Sequence, residues 1–190
     1  MSRTDPIGQT TVDIIISKFW EMYEKKPLSQ INVTDLSKAC GISRGTFYQY
    51  YENVYALYYE LEAEVINTSE RGLSDVIMYG AGQNFEKYVE VSSNHLRDHV
   101  QNLDKFKPLL NGSESASFRK MWLESIQKNF VKMIEFSDDL PTDDRDNLTL
   151  FFSGGLLSVL SNWVLNDCRE PAGNIARVAT RILSKGILGK

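Results

Sequence analysis

Apolar residues recur along the chain at the three-to-four-residue spacing of helices, and no stretch alternates in the manner of a strand. From Val12 onward, Ile15, Ile16, Phe19, Trp20 and Tyr23 fall on one face. That pattern predicts a helix buried along one side and ended by Lys25, Lys26 and Pro27. Asn32 is a good N-cap, with Asp35 three residues on to favour the helix dipole. Val33, Leu36 and Cys40 make a short apolar stripe that Gly41 closes. Ser43 then predicts the start of a very short helix running from Arg44 to Tyr51. Three helices with a Gly-containing turn between the last two have helix-turn-helix spacing.

Beyond Glu52 a long helix is expected to roughly Ser69, with Ala56, Leu57, Leu61, Val65 and Ile66 as its inner face. Helical patterns follow at 83–101, 103–110, 115–137, 144–167 and 172–187. Gly80-Ala-Gly82, Asn111-Gly112, Asp138 to Pro141 and Glu170-Pro171 punctuate them. The expected fold is all-α: an N-terminal three-helix head, residues 1–52, on a larger helical body, residues 53–190. Residues 147–166 carry no charge and are long enough to cross a bilayer. Yet Asn147, Thr149, Ser153, Ser158, Ser161, Asn162 and Asn166 spread polarity along them, and no basic flank marks an inner end. The segment therefore reads as a helix buried on two sides of an assembly, with no membrane partner.

The 190 residues are 42% hydrophobic and 24% charged, which excludes a disordered or low-complexity chain. Two cysteines cannot make a disulfide scaffold, and the first residues lack the apolar core of a signal peptide, so a cytoplasmic location is expected. Net charge is −4, but residues 1–51 hold six Lys/Arg against five Asp/Glu. Only this first quarter escapes repulsion by a polyanion.

The short helix has a legible surface. Phe47 and Tyr51, four apart, face inward, which leaves Gly45 and Gln49 opposite, flanked by Arg44 and Tyr48 on one side and Thr46 and Tyr50 on the other. Arg44 can read a guanine edge and Gln49 an adenine edge, Thr46 or Tyr48 can bond phosphates, and the helix-start amides at Ser43 and Asn53 suit phosphate too. The segment INVTDLSKACGISRGTFYQYYENVYAL, residues 31–57, resembles the DNA-binding head of the tetracycline-repressor (TetR) family of one-component regulators. The matching features are Ile-x-Val-x-Asp-Leu, Ala-Cys-Gly-Ile-Ser, Gly-Thr-Phe-Tyr-x-Tyr-Tyr and Leu57. The resemblance implies that Thr34, Arg44, Gly45, Thr46, Tyr48, Gln49 and Tyr50 face double-stranded DNA at a near-palindromic site. It further implies a homodimer that answers to a small-molecule effector, most commonly as a repressor. One position departs: Val54 stands where the family usually has a phosphate-holding lysine.

The body carries no acid/base pair, nucleophile or phosphate loop, so neither catalytic residues nor a cofactor are expected. His95 and His99 are four apart, but no carboxylate or thiol joins them at a telling offset, and no metal is expected. Phe118, Trp122 and Ile126 form one stripe, Tyr88 and His95 share another face, and with Phe152 they are candidates to line a ligand pocket. Gly154, Ser158 and Ser161 form a small-residue face, while Phe152, Val159 and Trp163 are expected in the core. Ile175, Val178, Ala179 and Ile182 add a stripe from the last helix. This pair of helices is similar to the family's dimer interface. Two rival readings stand beside the regulator: a helical protein-interaction module that has lost DNA binding, and a small helical enzyme.

Overall fold

A computed structural model describes residues 10–71, 73, 76–77, 84–135 and 145–183. The expected breaks at 80–82 and 138–141, and residues beyond 183 of the last expected helix, lie outside these. Among the described residues the ordered elements are helical: α1 (Thr11–Tyr23), a 3-10 turn (Leu28–Gln30), α2 (Val33–Cys40), α3 (Arg44–Tyr48), α4 (Val54–Glu70), α5 (Phe85–Gln101), α6 (Leu103–Asn111), α7 (Ser115–Glu135), α8 (Arg145–Leu165) and α9 (Ala172–Arg181).

Local chemistry sets the helix starts in the head. Thr10 and Asp13 form a reciprocal capping box on α1, the Asp13 amide donating to Thr10 Oγ1 at 3.2 Å and the Thr10 amide to Asp13 Oδ2 at 2.9 Å. Asn32 accepts the Asp35 amide at 2.8 Å to start α2, and Gly41, at φ 67°, ends it in a left-handed conformation that a side chain would resist. Helix α3 is shorter than expected, ending at Tyr48 rather than Tyr51. The Gln49 and Tyr50 amides turn back three residues, to Thr46 O and Phe47 O, and so tighten the last turn. The Tyr51 amide still reaches Phe47 O at 3.1 Å, which keeps the two rings 5.8 Å apart in the core.

One apolar core runs unbroken from head to body. Ile15, Phe19, Leu36 and Phe47 are fully buried in the head, and Leu57, Tyr58 and Leu61 carry the packing along α4 to Phe106, Leu109 and Phe118. Burial of this kind contributes about 1.5–3 kcal/mol per large side chain. In the body, α5 packs on α9 and α7 on α8. Arg177 clamps α9 to α5 with two bonds to Glu86, at 2.8 and 3.0 Å. Trp163 closes the turn after α8 by donating Nε1–H to Glu170 O at 2.7 Å.

Candidate nucleic-acid interface and ligand cavity

Helix α3 is five residues long and could not stand alone. Ser43 caps it by accepting the Thr46 amide at 3.0 Å, and the fully buried Phe47 pins it against α1 and α2. This anchorage turns Arg44, Gly45, Tyr48, Gln49 and Tyr50 outward, Tyr48 being 56% exposed. Ser43 is also exposed, and Thr34 joins the same set as an exposed residue near the start of α2. Thr46 differs: it is half-buried, and its hydroxyl lies 2.9 Å from that of Ser43, inside the cap. At the start of α4, Asn53 takes the Ala56 amide at 2.9 Å. Val54 is buried and belongs to the apolar core. The head's cations are partly spoken for, since Lys18 pairs with Glu21 at 2.8 Å and Lys26 with Asp35 at 3.7 Å.

In the body a cavity of about 130 Å³ lies among α4, α5, α7, α8 and α9. A single water needs only about 10–15 Å³. Tyr88, His95, Trp122 and Phe152 are on its wall. Phe118 is not: it is fully buried between Phe106 and Trp122, with ring centroids at 5.7 and 5.9 Å, and serves the core. Phe152 stacks on Phe130 at 4.6 Å. Tyr88 donates its hydroxyl to Met133 Sδ at 3.2 Å, and burial pushes its phenol up to about 12.

Beside Tyr88 and His95, the wall holds a polar cluster that the sequence analysis does not contain. Glu70, at the end of α4, accepts the Ser125 hydroxyl at 2.6 Å, and the Asn129 amide donates to Ser125 O at 2.8 Å. Trp122, Ser125, Ile126 and Asn129 fall at successive helical offsets, so extending the stripe read from Trp122 would have found them. Helix α4 thus runs from the head core at Val54 to the cavity at Glu70. No metal-binding cluster occurs among the described residues, and the His99 side chain lies outside them.

Helix α8 is long and apolar enough by composition to cross a membrane, but one side of it packs against the body. Its other side shows Leu150 (60% exposed), Phe151 (73%), Gly154, Gly155 and Ser158, and Val178 and Ile182 of α9 are also exposed. Two expectations need correcting. Ser161 is buried inside the protomer, because the end of α8 is enclosed more fully than its start: Leu160, Trp163 and Val164 around it are buried as well. Val159, expected in the core, is exposed.

The TetR-type family model described as the transcriptional regulator C-terminal region matches residues 83–185, more than half of the chain. The chain belongs to the TetR family of transcriptional regulators. This TetR-family chain is 35% identical over 68 residues, 36% of its length, to the HTH-type transcriptional regulator EthR of Mycobacterium tuberculosis. The match spans 32% of that relative, about a third of its length. Among solved structures it is similar to the fatty acid degradation regulator FadR from Bacillus halodurans, with TM-score 0.63 at 19% identity, over 97% of this chain and 98% of the other. FadR from Bacillus subtilis, solved in complex with stearoyl-CoA, superposes with TM-score 0.62 at 18% identity, over 92% and 98% of the two chains. At these identities the likeness is one of fold. The named relatives are transcriptional regulators, not enzymes.

Proposed function

We propose that this TetR-family regulator is a cytoplasmic homodimeric repressor. Its head, residues 1–52, inserts α3 into the major groove at each half of a near-palindromic operator. Its body, residues 53–190, dimerises and binds a small effector. The observation that carries the reading is the α3 surface: Arg44, Gly45, Tyr48 and Gln49 exposed together on a helix held from behind by Phe47. Gly45 lets the backbone approach the duplex, Arg44 and Gln49 supply base-edge contacts, and Tyr48, Tyr50, Thr34 and Ser43 hold the backbone.

The exposed Leu150, Phe151, Val178 and Ile182 support a second copy of the chain as the occupant of the α8–α9 face. Such a dimer sets the spacing of the two α3 helices. An effector in the body shifts DNA affinity to the extent that it binds the two spacings unequally. The stearoyl-CoA complex of the Bacillus subtilis relative is an instance of this fold holding a ligand with a long acyl chain, and the cavity supports a ligand-binding role here. Tyr88, His95, Trp122 and Phe152 are its proposed contacts.

Selection of bound duplexes from a random pool by the purified chain tests the proposal. Enrichment of an inverted repeat is the expected result, and it should disappear in an Arg44→Ala, Gln49→Ala double variant. A pool that stays random would overturn the operator reading.

A further inference from the structure

The cavity wall is unusual in what it leaves available for a ligand. Four of the hydroxyl donors placed on it are committed to the protein itself. Ser69 donates to Ile66 O at 2.8 Å, Thr180 to Ala176 O at 2.7 Å, Tyr88 to Met133 Sδ at 3.2 Å and Ser125 to Glu70 at 2.6 Å. The acceptors are less committed. A carboxylate has two oxygens and about four lone-pair sites, of which the Ser125 hydroxyl engages one. Asn129 uses its amide N–H on Ser125 O, which leaves its side-chain oxygen as an acceptor. Charge points the same way, because Glu70 is the one acidic residue on the described wall and no lysine or arginine is there to oppose it. Apart from Ser92 and His95, the rest of the wall is apolar, with Leu96, Ile126, Phe130, Leu156 and Leu160 facing the void.

We infer that the effector is a lipophilic amine: an apolar body filling the Trp122–Leu160 side, with a cationic hydrogen-bond donor seated on Glu70 and Asn129. This rests on the ligand-sensing reading above and narrows it. A carboxylate placed here would meet Glu70 with like charge and with no lysine or arginine on the described wall to offset it.

Calorimetric titration of the full chain with three probes of matched length tests it: n-octylamine, octan-1-ol and octanoate, each below its aggregation limit. Octylamine should bind at least about tenfold more tightly than octanoate, with octanol between them. Glu70→Gln keeps an acceptor for Ser125 and should collapse the gap between amine and acid while leaving octanol within about twofold. Glu70→Lys should invert the order, which gives a second readout if the first variant folds poorly. Octanoate binding as tightly as octylamine, or a gap that survives Glu70→Gln, overturns the amine assignment and leaves a sensing cavity in place. Binding by none of the three overturns the cavity itself as an apolar-ligand site, and the amine assignment with it.

Discussion

The Tyr58 hydroxyl donates a 2.6 Å hydrogen bond to Glu62 one turn further along α4, and both side chains have no exposure to solvent. Ser117 of α7 donates to the other Glu62 oxygen at 3.2 Å, and the Tyr23 ring of α1 lies 5.4 Å from that of Tyr58. A carboxyl group thus sits where head and body meet. Burial raises its pKa above the ordinary 4.5, outweighing the opposing pull of the Tyr58 and Ser117 bonds.

The sign of the resulting pH dependence follows. An acid whose folded pKa is raised favours folding fully below its unfolded pKa, and that contribution is lost as pH rises through the folded value. Stability measured by denaturant melts should therefore carry a component that declines from about pH 4.5 upward. Glu62→Gln keeps an acceptor for Tyr58 and should remove that component. A variant with an unchanged pH profile would contradict the assignment.

Tyr58→Phe leaves the ring packing and deletes the donor. It should cost about 1–3 kcal/mol in a denaturant melt, since the buried carboxyl loses a partner.

Gly154 has open space where a Cβ would stand. Gly154→Arg should therefore leave each protomer folded, with its secondary structure intact by circular dichroism, while splitting the proposed dimer in sedimentation because the charge would be buried between copies. A variant still dimeric would place the interface elsewhere.

With Lys18 and Lys26 engaged in ion pairs and Val54 in the core, few cations among the described head residues are left for phosphates. Each neutralised phosphate contributes about −0.9 to the slope of log affinity against log salt. Binding isotherms across salt concentrations should give a slope no steeper than roughly −3 per protomer. Arg44→Ala should relax preference at one base pair by about 1–3 kcal/mol, whereas Tyr48→Phe should weaken all sites alike.

Phe118→Ala should destabilise by about 3–5 kcal/mol, as expected for an emptied core site. Phe152→Ala, on the cavity wall, should change ligand affinity at a smaller cost in stability. Equal behaviour of the two variants in melts and titrations would undo the distinction drawn between them.

The helical starts were legible because single residues determine them: Asn32, Ser43 and Gly41 act through their own backbone and side-chain geometry. The α3 surface followed from periodicity, since Phe47 leaves its neighbours little choice of direction. The end of α3 did not, because the tightened turn at Gln49 and Tyr50 carries no signature residue. Tyr58 and Glu62 were passed over because a charged residue in a stripe reads as solvated until its partners are known. They do fall one turn apart on the face that holds Leu61 and Val65. The exchange of Ser161 and Val159 between inner and outer faces of α8 shows the limit of reading a helix without charged residues to orient it. Phe118 and Phe152 were indistinguishable for a related reason, because a stripe shows which side is buried and not where the packing leaves a gap.

Helix α4 has its first turn in the head and its last at the cavity, with 17 residues between those ends. At about 1.5 Å per residue it is a rod about 25 Å long. A tilt of about 5° pivoting at the Glu70 end sweeps the Asn53 end through about 2 Å, the scale of helix shifts that accompany switching. A rod of this length would turn an angular change at its cavity end into a linear displacement at its head end.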